Sequence, residues 1–163
     1  MVTFLLSLLA ISGITLMLYS AVALVQDKRF FGSAPKDAQA LIQPKPERFR
    51  GQHLLGWALL ILSLLMVVAA AVLAVWDGVR RGFGFWQFFA RFLIMLYAYK
   101  AYDMVFFDFF LVTRARFFQR YYPEVDACES FHKYGFNLKI QVVRIIVYPF
   151  VCALAAWICT LIR

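Results

Sequence analysis

The stretch 86–112, WQFFARFLIMLYAYKAYDMVFFDFFLV, limits what this chain can fold into more than any other. It is long and apolar enough to cross a bilayer, yet it carries Arg91, Lys100, Asp103 and Asp108. A central Lys, Arg or Asp costs a membrane helix roughly 2.5–3.5 kcal/mol, and each Leu, Ile, Phe or Val returns only about 0.3–0.6. Alone, such a helix stands near break-even. It belongs in a bundle, with its charges facing protein or trapped water.

Composition supports the same solvent. Of 163 residues, 64% are hydrophobic and 18% aromatic, more apolar surface than a soluble domain of this length can hide. The expectation is a single all-α, polytopic membrane domain, a four-helix bundle with spans at about 2–25, 53–76, 86–112 and 138–162. Loops at 26–52 and 113–137 connect them, the second holding a short helix. The net charge of +8 comes from Lys and Arg in those loops, and no basic aromatic platform points to nucleic acid. Three cysteines, Cys128, Cys152 and Cys159, fit no disulfide framework and read as reduced thiols.

The run 2–25 is uncharged and reads as a retained helix, although Ser20-Ala21-Val22-Ala23 faintly resembles a cleavage site. Gly13, beside Ser12 and Thr15, predicts a close helix contact. In the second span, Trp57 and Trp76 are nineteen residues apart. That separation is roughly 29 Å of helix, near the hydrocarbon thickness. Gly56, Ser63 and Ala70 recur every seventh residue, a strip that admits a neighbour. The turn DGVRRGFGF at 77–85 makes the second and third spans antiparallel neighbours.

The loops carry the charge. Ser33 before Ala34-Pro35 predicts a short helix to about Ile42, ended by Pro44. Lys28, Arg29, Arg48 and Arg50 in the first loop, and Arg114, Arg116 and Arg120 in the second, alternate with aromatics, as for contact with anionic headgroups. Pro123, Glu124 and Asp126 predict a helix start, with Lys133 and Gly135 at its end. Eleven Lys and Arg on the loop side face three on the other, which places both loops in the cytoplasm and both termini outside, across a bacterial inner membrane.

On an α-helical wheel Lys100 and Asp103 lie about 60° apart, and Lys100 and Asp108 about 80°, with Tyr97 between the last two. Arg91 points the other way, near the outer end, where it either snorkels or meets Asp77. In the last span Gln141, Arg144 and Tyr148 form a second polar face, and Pro149 predicts a kink. Similar depth in helices running opposite ways predicts an Asp108–Arg144 bridge. The cluster Tyr97, Lys100, Asp103, Asp108, Gln141, Arg144 and Tyr148 reads either as a network fixing helix register or as a site for an ion or small polar ligand. Such a chain serves as a transport or accessory subunit, with a second copy or a partner subunit shielding the third span. An enzyme acting on a lipid or hydrophobic conjugate, or a scaffold recruiting a cytoplasmic partner, are the other classes. No Walker loop, GxGxxG, HExxH or CxxC occurs. Glu124, Cys128 and His132 give one helical stripe of three ligands at most, so neither metal nor cofactor is expected.

The run YDMVFFDFF followed by RYYPE and KYGFN resembles a set of uncharacterised bacterial four-helix membrane proteins. They share aspartates late in the third span, a basic stretch, a Pro-Glu element and a Gly-Phe before the last span. The matching positions are Asp103, Asp108, Pro123, Glu124, Gly135 and Phe136. This resemblance covers the second half of the chain and implies no established activity. In size and topology the chain is also similar to the membrane-associated eicosanoid and glutathione family, which implies a trimer with glutathione between subunits. Glu47-Arg48-Phe49-Arg50 echoes that family's motif, but the arginine spacing is one residue short. Leu55 and Ala58 stand where its Asn and Glu would be, so the likeness extends to the fold alone.

Overall fold

The computed structural model describes residues 1–31, 36–128 and 138–162, and among these every regular element is helical. The elements are α1 (Val2–Val25), α2 (Lys36–Leu41), α3 (Gln52–Arg80), α4 (Phe85–Tyr102, wound on as a π-helix over Asp103–Arg114), α5 (Phe117–Tyr121) and α6 (Leu138–Ile162). Helices α1, α3 and α6 are long and apolar enough to cross a membrane. Large apolar side chains such as Leu54, Ile61, Leu65, Trp86, Phe150 and Leu161 stand exposed along the helices, a surface that water does not tolerate at this extent. These features point to a membrane protein.

Small residues set the packing. Gly56, Ser63 and Ala70 are all buried, and Ala74 and Gly78 continue their strip. A Cβ on Gly13 of α1 would stand 3.0 Å from the Ser63 carbonyl oxygen, and one on Gly56 would meet Leu24 and Val25. The strip therefore receives α1, as its seven-residue recurrence predicts. At the far end, a Cβ on Gly78 would lie 2.3 Å from the Phe88 ring, so only glycine lets α3 and α4 close there. Arg91, 5% exposed, spans the same junction. It donates to the Ala74 carbonyl at 2.8 Å and pairs with Asp77 at 2.7 Å, over the Phe83 ring. Helix α4 also packs against α6 and α1, so it is enclosed from several sides.

The two loop regions fold onto each other rather than lying separately on a surface. Ala38 and Ile42 from the first and Tyr122, Val125 and Cys128 from the second enclose a small core with Val22 and Val112. Lys45 and Glu124 pair across them at 2.8 Å. The last turn of α1, π-wound over Ser20–Val25, leaves carbonyls that have no helical donor. Arg48 donates to Ala23 at 2.7 Å, and Gln52 donates to Leu24 at 2.9 Å. Glu47 accepts from the Gly51 and His53 amides at the start of α3. One short run thus closes the end of one helix and the beginning of the next. Burial pushes the Tyr122 hydroxyl above its ordinary range, and Glu124 and Asp27 add to the shift.

Pro123 opens a 3-10 turn, Pro123–Ala127, where a longer helix was expected. The expected continuation through His132, Lys133 and Gly135, like the Ser33–Pro35 cap, lies outside the described residues.

Candidate functional site

The main departure from expectation is the winding of α4. Beyond Tyr102 its hydrogen bonds run from residue i to i+5, and the segment closes with the Ala115 amide donating to Phe110 at 2.7 Å. Twelve residues of π-helix far exceed the single-turn bulges usual in proteins, which recur at functional sites. Aromatic rings pack along the segment. Tyr102, Phe106 and Phe110 stack in sequence at 4.9 and 5.6 Å, and Phe107 turns inward against Tyr102.

The winding changes which residues share a face. On an α-helix, Asp103 and Asp108 would be about 140° apart. With i→i+5 bonding, five residues make a little over one turn, and the two positions fall on one face, about 50° apart. The wheel drawn at 100° per residue therefore holds only as far as Tyr102.

Lys100, 2% exposed, pairs with Asp103, the i,i+3 contact read from the sequence. Tyr97 and Tyr148 approach across the α4–α6 seam with ring centroids 6.4 Å apart. The Tyr97 hydroxyl donates at 3.2 Å to the Ile145 carbonyl. That carbonyl is the one Pro149 deprives of its helical donor, so a side chain from α4 replaces the missing backbone hydrogen bond.

At the loop end of the seam, Asp108 accepts from Gln141 Nε2 at 2.7 Å. The Asp108–Arg144 pair expected from equal depth is not among the ion pairs between described residues. Arg144 is exposed, whereas Gln141, three residues earlier, turns into the seam. The shorter neutral side chain takes the place assigned to the arginine.

Tyr99 is the residue that the sequence reading missed. Its hydroxyl lies within the electrostatic reach of Asp103, Tyr148, Arg144 and Asp108. Its i,i+4 spacing from Asp103 was the available signal.

Of the basic surface residues, Lys28, Arg29, Arg50, Arg114, Arg116 and Arg120 are exposed. Arg116 pairs with Asp126 at 2.7 Å, and Arg48 lies over the Tyr121 ring while capping α1. Among the described residues, no group of three His, Cys, Asp or Glu is placed to hold a metal.

The class defined by this architecture is an all-helical protein with three membrane-capable helices and a polar seam along a fourth long helix. Comparison with protein-family models, with curated proteins and with solved structures returned no match.

Proposed function

We propose that this is a four-span membrane transport or accessory subunit whose α4–α6 seam binds a small ion. In this reading α4 is the fourth crossing and the two basic loops face the cytoplasm. Both termini are then outside, and exposed arginines such as Arg114 and Arg120 meet anionic headgroups. A second copy or a partner subunit covers the exposed Arg144. The observation that carries the reading is a lysine with 2% exposure, paired with a carboxylate inside a long π-wound segment. Charge at membrane depth is costly and is retained mainly along ion and proton routes.

The test uses purified protein in liposomes under sodium, potassium, chloride or proton gradients. The expected result is a flux, or an ion-dependent rise in melting temperature, that Lys100→Met removes and Lys28→Ala keeps. No response to any of these ions would leave the cluster with a structural role alone.

A second reading has an observation of its own. A wholly apolar groove of about 470 Å³ runs between α3, α4 and α6, past Met95, Leu96, Val151 and Cys152. It fits an acyl chain, which suits an enzyme acting on a lipid or hydrophobic conjugate. Lipid retained through detergent purification, and lost on Ala155→Trp, would favour that reading.

A further inference from the structure

A recess of about 440 Å³ opens at the loop end of α4, lined by Ala115, Arg116, Gln119, Arg120, Pro123 and Asp126. That volume is ordinary for a small-molecule site, which spans roughly 300–1,000 Å³. The charges around it do not balance. Arg116 is matched by Asp126 at 2.7 Å, whereas the exposed Arg120 has no ion pair among the described residues. Glu124, in the same 3-10 turn as Asp126, is taken up by Lys45 at 2.8 Å. One positive charge is left over.

Gln119 adds a second unmet need. It is 8% exposed, and its Oε1 is buried with no hydrogen-bond partner among the described residues. A buried acceptor without a donor is costly. Turning the amide over gives no relief, because an unmet donor would then be buried instead. The recess thus combines an unpaired guanidinium with an unsatisfied amide.

We propose that this recess binds a singly charged phosphodiester carrying a hydroxyl, the chemistry of a glycerophosphoglycerol group. It rests on the reading that these arginines meet anionic headgroups, and it is independent of the ion-binding seam. Arg120 holds the phosphate, one negative charge against the one left over. A guanidinium suits that partner because it presents two parallel donors to two phosphate oxygens. The hydroxyl meets the Gln119 amide. A hydroxyl both donates and accepts, so it satisfies the amide either way round, which an ammonium, a donor only, does not. The terminal torsion of a glutamine is broad, so a small turn brings the amide against the ligand. Two sources carry this group, the headgroup of phosphatidylglycerol and its acyl-free soluble ester. Phe109 and Phe110, exposed on α4 shortly before the recess in the chain, favour the lipid, because acyl chains can lie along them.

The experiment is native mass spectrometry of the whole protein in detergent, titrated with three probes. They are phosphatidylglycerol, phosphatidylmethanol (a diester of the same charge without a hydroxyl) and glycerophosphoglycerol. The expected result is one phosphatidylglycerol bound about five- to tenfold more tightly than phosphatidylmethanol, the usual worth of a hydrogen bond. Gln119→Leu should lose that preference and still fold, since leucine leaves no polar atom unmet. Arg120→Ala should weaken the binding of both lipids, and Arg80→Ala, at the far end of α3, should weaken neither. Glycerophosphoglycerol bound as tightly as the lipid would assign the recess to the soluble ester, and weaker binding to the headgroup. The proposal is overturned if the parent binds neither lipid or binds both alike, or if Arg120→Ala lowers affinity no more than Arg80→Ala. Binding of both lipids alike, with losses spread over all the loop arginines, would keep headgroup contact and reject this site.

Discussion

At the scale of single residues, Pro149 and Tyr97 form a unit that neither explains alone. A proline inside a helix orphans the carbonyl four residues earlier, and in a lipid environment no water is available to satisfy it. The Tyr97 hydroxyl supplies the donor from the neighbouring helix. Tyr97→Phe should therefore destabilise the protein by about 1 kcal/mol, the usual worth of one such bond. In a Pro149→Ala background the loss should shrink, because the backbone donor returns. Thermal unfolding of the four proteins of this double-mutant cycle in nanodiscs checks it, and additive effects would refute the pairing. The proline and the backbone donor it removes were legible in the sequence. Its partner was not, because nothing local tells which neighbouring hydroxyl reaches the vacated oxygen.

Among the elements, α3 was read most completely and α4 least. The strip Gly56, Ser63, Ala70 reported its own packing face, since close approach requires small side chains wherever it happens. The start of α3 depends on Glu47, whose carboxyl is held below the ordinary carboxylate range by the amides of His53 and then Gly51. Because the folded value is lowered, the stabilisation is complete above the unfolded value and is lost as pH falls through the folded one. Amide exchange at Gly51 and His53, corrected for the intrinsic effect of pH, should quicken on acidification below the ordinary carboxylate range. Glu47→Ala should quicken it already at neutral pH, and unchanged exchange in both cases would rule out the cap. For α4, alternating charge and aromatic residues show that the helix is enclosed, but they do not show its winding. The π-helix is seen only in the structure, where the stack Tyr102–Phe106–Phe110 runs along it.

For the whole molecule, the four-span reading requires that the two ends of α4 lie on opposite sides of the membrane. In a background with Cys128, Cys152 and Cys159 replaced by alanine, Arg81→Cys and Arg120→Cys should react with an impermeant thiol reagent from opposite sides. Reaction from one side would lay α4 along the membrane and leave three crossings. The sequence by itself determined the lipid solvent, the long helices, the enclosed charges of α4 and the Lys100–Asp103 contact, because these follow from composition and from spacing within one element. Only the tertiary structure decided that Gln141 rather than Arg144 meets Asp108, that Tyr99 sits among the charges, and that the two loops share a core. Each of those depends on how one helix is rotated against another, which is set by packing along its whole length and is written in no single stretch of chain.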